Sequence, residues 1–140
     1  MDWSDDRRTF YYADSDSGSV DAFACDPDTG ALGARRRFVS VPEAEGVPDG
    51  LTLDADACLW LAVWGAGEVR RYTPDGKLDA VVRLPTSQVS CPAFGPDGVL
   101  YITTAYENFT AEQRRGEPHA GDIFSCAPGV TGRPAFRFTA

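Results

Sequence analysis

V-P-D-G-L-T-L-D-A-D-A-C-L-W-L-A-V-W-G-A-G-E-V-R-R-Y-T-P-D-G-K-L-D-A-V-V-R-L, residues 47–84, is a series of short apolar or alternating segments cut by glycine, proline and aspartate. Gly50–Asp54, Leu59–Val63, Glu68–Tyr72 and Leu78–Leu84 are five to seven residues long and rich in Leu, Val and aromatic side chains. Segments of that length and composition, bounded by turn residues, read as strands. Asp75-Gly76, between the last two, offers glycine at the positive φ that a tight hairpin needs. Four strands joined in sequence by short turns form an antiparallel meander.

The same pattern recurs on both sides. F-Y-Y-A-D from Phe10 and L-Y-I-T-T from Leu100 lie over L-W-L-A-V from Leu59. Each is followed by a glycine-led strand, at Gly18, Gly67 and Gly121, so these glycines recur after 49 and 54 residues. Tyr11, Trp60 and Tyr101 recur after 49 and 41 residues. Each unit also has a preceding short strand (D-W-S from Asp2, G-L-T-L-D from Gly50, C-P-A-F-G from Cys91) and ends in a turn and a fourth strand. No window of a dozen residues carries a helical apolar stripe; Ala105–Gly116 comes nearest and lacks a continuous face. The expectation is an all-β chain, a β-propeller of about three four-stranded blades over residues 1–140, the first blade short of most of its innermost strand. Three blades do not close a ring, because propellers need four to eight. The chain is then part of a longer propeller, a half-ring completed by a second copy through exposed blade edges, or an open stack. The first is favoured, since an uncovered blade face resembles an uncapped solenoid end.

Composition narrows the function. With 13 Lys+Arg against 21 Asp+Glu the net charge is −8, and the one basic run, Arg35-Arg36-Arg37, is too short to bind phosphates well, which excludes nucleic acid. No apolar run reaches membrane-spanning length, and M-D-W-S-D-D lacks the pattern of a signal peptide. Cys25, Cys58, Cys91 and Cys126 are far apart and form no C-x-x-C pair. They are expected to be buried free thiols, which places the chain in the cytoplasm.

Val47–Leu78, D-W-S-x-x-x-x-x-F-Y-Y-A-D-S from Asp2, S-V-D-A-F from Ser19, S-C-x-x-F-G from Ser90, L-Y-I-T-T-A from Leu100 and E-P-H-A-G-D-I-F from Glu117 closely resemble the SMP-30/gluconolactonase/luciferin-regenerating-enzyme-like (regucalcin) family. The resemblance implies the C-terminal half of a six-bladed propeller. It also implies a divalent-metal-dependent lactonase that hydrolyses sugar lactones such as gluconolactone. The alternative is a non-catalytic calcium-binding or interaction module of regucalcin type. In the family a Glu, an Asn and an Asp hold the metal in the central channel; only the Asp, of the P-D-G motif, falls within this sequence, on Asp49. Oxygen ligands suit calcium, magnesium or manganese, and zinc when ligands are few. Such a cation polarises a lactone carbonyl and lowers the pKa of bound water, and a carboxylate beside it can act as general base.

On the residues alone, Asp49 reads as a turn-forming aspartate before Gly50; the resemblance makes it metal ligand and catalytic base. Ser90 stands at the equivalent place of the next blade, 41 residues on, and is a candidate for a water or substrate contact or for a hydroxyl satisfying the backbone. Trp64 follows its strand into a loop and is placed to rim a pocket, whereas Trp3 and Trp60 read as packing. His119 is the single histidine, but no G-x-S-x-G elbow accompanies it, so a serine-hydrolase triad is not expected. Asp14-x-Asp16 and Asp54-x-Asp56 lack the rest of a calcium loop and read as turns.

Overall fold

A computed structural model describes residues 1–136. Three antiparallel sheets follow one another along the chain. The first contains β1 (Asp2–Trp3), β2 (Thr9–Asp14), β3 (Ser19–Cys25) and β4 (Leu32–Ser40), hydrogen-bonded in that order. The second contains β5 (Val47–Leu53), β6 (Leu59–Trp64), β7 (Glu68–Tyr72) and β8 (Leu78–Arg83), again in sequence order. The third contains β9 (Val89–Phe94), β10 (Leu100–Thr104) and β11 (Ile123–Cys126). These are the propeller blades, and β1, two residues long, is the inner strand of the first. Gly76 and Gly98 take φ of 81° and 78°, the positive values required of their hairpin turns.

Strand alternation gives each blade two faces, and the core forms where a face of one meets a face of the next. Tyr11, Val20, Ala22 and Val39 of the first blade pack on Leu51, Leu53, Leu59, Leu61 and Val63 of the second. Trp60, Ala62 and Val69, on the opposite face of the second blade, pack on Val89, Leu100 and Ile102 of the third. The period-2 pattern of the middle segment is therefore apolar at every position: both its faces are covered, and Leu59–Val63 is buried throughout.

The structure departs from the sequence reading in three places. The third blade has three strands among the described residues. The chain after Pro128-Gly129, expected to form its fourth, crosses back to the second blade. There Gly132 bridges Asp54, and the Thr131 carbonyl accepts the Ala55 N–H at 2.9 Å. The rest of that expected strand, residues 137–140, lies outside the described residues. A short helix, α1 (Ala111–Gly116), interrupts the loop between β10 and β11. It buries none of its residues, so it leaves no apolar stripe to find. A reciprocal capping box between Thr110 and Gln113 holds its start, and Arg114 lies over the Tyr106 ring at 3.7 Å. The four cysteines are free; Cys58 is buried as expected, Cys25 and Cys126 are partly covered, and Cys91, on the inner strand of the third blade, is exposed. Its apolar neighbours in sequence point the other way, as strand alternation dictates. Among the described residues no helix is long and apolar enough to cross a membrane.

Candidate active site at the ends of the inner strands

β5 and β9 are the innermost strands of their blades, and both contain one residue more than their partners. In β5, Pro48 faces Val63 but Leu51 faces Leu61, so Asp49-Gly50 occupies the place of a single residue. In β9, Val89 faces Thr104 and Cys91 faces Thr103, leaving Ser90 without a partner. These are β-bulges, which re-aim a side chain out of the alternating pattern. The equivalence of Asp49 and Ser90, first seen as a 41-residue spacing, is thus a shared backbone irregularity at the same end of neighbouring strands.

The bulge in β5 depends on Gly50. A Cβ at this position would lie 2.5 Å from Cys91 Sγ and 2.6 Å from the Ser90 carbonyl oxygen. The two inner strands therefore meet at van der Waals contact where Asp49 is presented.

Asp49 is partly buried, and no other side chain among the described residues hydrogen-bonds or ion-pairs with its carboxyl. Burial pushes its carboxyl above the usual carboxylate range; the Gly50 N–H and the positive Met1 α-amino group pull the other way without prevailing. A raised folded-state pKa means that the folded chain holds this proton more tightly than the unfolded chain. The group's contribution to stability is then full below the unfolded pKa and lost as pH rises through the folded one. Asp49→Asn is accordingly expected to raise the melting temperature at pH 7. The gain should vanish near about pH 3, where both forms are neutral. Thermal scans of both proteins across that range check the sign.

The remaining candidates are placed as follows. Ser90 Oγ is 2.8 Å from Thr103 Oγ1, and Thr103 in turn donates to the Cys91 carbonyl at 3.3 Å, so the Ser90 hydroxyl is engaged within its own blade. Trp64 ends β6 opposite Val47, at the end of the blade that carries Asp49, and belongs to neither core cluster. Trp60 is core, 2% exposed, and Trp3 packs on Phe10 with ring centroids 5.0 Å apart. His119 is exposed and its Nδ1 is 3.0 Å from Asp122 Oδ2, with no serine hydroxyl beside it.

Asp14 and Asp54 both cap turns, but Asp54 does far more than the sequence reading gave it. It is 1% exposed, and its carboxylate accepts the backbone N–H groups of Asp56 and Cys58 and the indole N–H of Trp60, each at 2.9 Å. The Arg71 guanidinium approaches to 2.7 Å.

The segment between β10 and β11, which carries α1, is tied to the same end of the blades. Glu117 accepts hydrogen bonds from the Thr86 hydroxyl at 2.9 Å and the Ser87 N–H at 2.7 Å. Burial raises the pKa of Glu117, but these bonds outweigh it and hold the carboxyl below its usual range. Chain contacts alone do not announce this anchor; Glu117 lies 30 residues from Ser87 in sequence.

Among the described residues no three His, Cys, Asp or Glu side chains converge to hold a metal. Asp49 offers a hard oxygen donor that no Lys or Arg among the described residues neutralises, which fits a hard cation in kind. In number it does not, because such ions take about six to eight oxygens.

Comparison with known proteins bears on what surrounds Asp49. Residues 1–106 match the family model of the SMP-30/Gluconolactonase/LRE-like region; residues 107–140, including the E-P-H-A-G-D-I-F segment, lie beyond it. Regucalcin of Danio rerio is 39% identical over 143 residues, which covers 99% of this chain and 48% of that protein. Pentonolactonase XacC of Haloferax volcanii is 38% identical, covering 98% and 49%. The crystal structure of a calcium-binding protein, regucalcin, from Agrobacterium tumefaciens superposes with a TM-score of 0.90 at 33% identity, over 98% of this chain and 48% of that one. The chain spans about half the length of the curated relatives it matches. With a family model matched over most of its length and the three-bladed fold to go with it, the chain belongs to the SMP-30/gluconolactonase/LRE-like family.

Proposed function

We propose that this chain contributes to the hydrolysis of a sugar lactone, with Asp49 as one oxygen ligand of a divalent cation and as the base beside it. The observation that carries the reading is the Asp49 carboxylate itself: presented by a bulge, partly buried, and without a cationic partner among the described residues. The pentonolactonase relative supports the reaction class. A bound cation would polarise the lactone carbonyl and acidify a water molecule. Asp49 would hold the cation through one carboxylate oxygen and could accept the proton of the attacking water at the other. Trp64 at the rim offers an apolar wall to a sugar ring, and Ser90 a hydroxyl at the neighbouring bulge. Calcium suits a carboxylate donor best, with magnesium, manganese and zinc as alternatives. The four free thiols support a reducing, cytoplasmic setting.

The relative described as a calcium-binding protein supports a second reading, a calcium-binding module without turnover, centred on the same Asp49. Calcium titration followed by amide NMR tests the shared element. Shifts are expected to concentrate at residues 48–51 and 89–91 and to disappear in Asp49→Asn; shifts elsewhere, or unchanged in the variant, overturn both readings. Hydrolysis of gluconolactone by this chain, with calcium, zinc or EDTA and beside Asp49→Ala, adds the second arm. One carboxylate falls short of a full ligand set, so turnover is expected to stay at the spontaneous rate. Metal-dependent turnover lost in Asp49→Ala would show that one carboxylate suffices.

A further inference from the structure

The peptide of Ser87, between β8 and β9, joins three parts of the molecule. Its N–H donates to Glu117 Oε2 at 2.7 Å. Its carbonyl oxygen accepts the N–H groups of Gly65 at 2.9 Å, Gly67 at 3.1 Å and Val89 at 3.1 Å. Gly65 and Gly67 form the turn from β6 to β7, and Val89 opens β9. One peptide therefore fastens a turn of the second blade to the inner strand of the third. All of these contacts lie within the second and third blades.

Both sides of this junction lead to Asp49. On one side, Gly65 follows Trp64, which pairs with Val47 at the start of β5. A Cβ at Gly46 would stand 2.4 Å from the Trp64 carbonyl oxygen and 3.3 Å from the Ala66 nitrogen, so the chain entering β5 is seated on the turn. On the other side, Val89 leads into the Ser90 bulge, whose carbonyl oxygen lies against Gly50. Asp49 is thus presented from a backbone gripped before it by the turn from β6 to β7 and after it by β9. The Ser87 peptide sets how far apart those two grips stand.

Glu117 fixes that peptide from 30 residues away. Its Oε2 also accepts the Thr86 hydroxyl at 2.9 Å and the Ser87 hydroxyl at 3.1 Å, and Thr86 is 3% exposed. Hydrogen bonds to a charged acceptor are roughly twice as strong as neutral ones. The carboxylate is itself held from behind. The Glu117 N–H closes α1 on the Gln113 carbonyl at 2.8 Å, and the Glu117 carbonyl accepts the Ala120 N–H at 3.0 Å. At the other end of the same loop, the Gln88 side chain accepts the Glu107 N–H at 2.6 Å and donates to the Glu107 carbonyl at 2.9 Å. We infer that Glu117 is a positioning residue for Asp49, its carboxylate locking the Ser87 peptide and, through it, the two stretches of backbone that aim the Asp49 carboxyl. The consequence for cation binding rests on the reading of Asp49 as a ligand; the placement itself does not.

Amide NMR of the full 140-residue chain separates positioning from the anchoring of a loop. Glu117→Ala, without metal, is expected to displace the signals of Asp49 and Gly50 together with those of Gly65, Gly67 and Val89. Hydrogen exchange at Gly65 and Gly67 should accelerate by about tenfold or more. Glu117→Gln keeps an acceptor oxygen at the same reach and is expected to restore most of these positions. Glu117→Asp keeps the charge but loses one methylene of reach, and is expected to displace the same signals. It decides alone if circular dichroism shows that Glu117→Ala does not fold. Thr110→Ala is the control: it loosens α1 by breaking the capping box, and is expected to move signals within residues 105–117 only. Asp49 and Gly50 signals unmoved in the alanine and aspartate variants, or moved as far by Thr110→Ala, overturn the inference. With calcium present, Glu117→Ala is expected to raise the concentration that gives half the response at residues 48–51 by about tenfold. A midpoint left unchanged overturns the consequence for binding. A wild-type chain that gives no such response overturns the ligand reading of Asp49, and the metal-free displacements then still decide the positioning.

Discussion

Asp54→Ala is expected to destabilise the chain by about 3–5 kcal/mol, close to the whole stability of an ordinary small domain. The reason lies in what the carboxylate holds. It satisfies two backbone N–H groups of the turn between β5 and β6, the indole N–H of buried Trp60 and the guanidinium of Arg71. Alanine leaves all four donors short of an acceptor, three of them in or beside the core, and each such buried donor costs about 1–3 kcal/mol. Arg71 keeps Asp56 and Asp79, both partly exposed, but loses its buried partner. Burial works against its charge, and it stays protonated because hydrogen bonds to Asp54 and Asp79 outweigh that penalty. Asparagine is expected to be almost as costly, because its amide presents N–H groups where donors already converge. Asp56→Ala is the control. Asp56 also contacts Arg71, at 3.0 Å, but its side chain is 66% exposed, so the pair is worth no more than about 1 kcal/mol. Urea midpoints with unchanged slopes measure both. Equal losses in the two variants would mean that Asp54 is no more than a turn residue.

The blades were legible because their evidence is local and repeated. Leu59–Val63 and its two counterparts keep strand composition between turn residues, and Asp75-Gly76 carries its own turn geometry. Asp49 became a candidate only through family resemblance: D-G reads as a turn in any sequence. What makes this one a presented carboxylate is a register mismatch between β5 and β6, a property of two strands together that neither shows alone. The reading of Asp54 as a turn residue was right but incomplete, for a related reason. Asp-x-Asp looks like a turn, and it is one, but Arg71 reaches it across 17 residues and the intervening hairpin. The helix α1 rests on a capping box and a stacked ring rather than on an apolar face, so a search for periodicity passes over it. The fourth strand expected of the third blade, not formed among the described residues, fails differently. Its residues carry strand-like composition, but Gly132 and Thr131 find partners on Asp54 and Ala55 of another blade instead.

Gly50→Ala, a single added methyl, is expected to cost about 2–3 kcal/mol and to dislodge Asp49 without touching its chemistry. Glycine is required here by space rather than by dihedral angle, because Gly50 is not among the positive-φ glycines. The new Cβ would meet Cys91 Sγ at 2.5 Å, Cys91 Cβ at 2.6 Å and the Ser90 carbonyl oxygen at 2.6 Å. A flexible side-chain tip could swing aside, but a Cβ and a backbone oxygen move only with their strand. The inner strands must therefore separate where they are tightest, and both bulges move with them. Two comparisons isolate this cause. Adding Cys91→Ala to Gly50→Ala removes the sulfur alone and is expected to restore little, since the Cβ and the Ser90 oxygen remain. Gly116→Ala places its methyl where nothing lies within 4 Å, and is expected to be neutral or to stabilise by up to about 1 kcal/mol. The pKa of Asp49, followed by carboxyl NMR, reports on the site separately from stability. It is raised in the native packing because the carboxyl is partly buried, so separating the strands should let water in and bring it back toward 3.8. A variant that loses stability but keeps the raised value would mean that the bulge holds Asp49 independently of Gly50. One that keeps both would mean that the contact between β5 and β9 is softer than its distances imply.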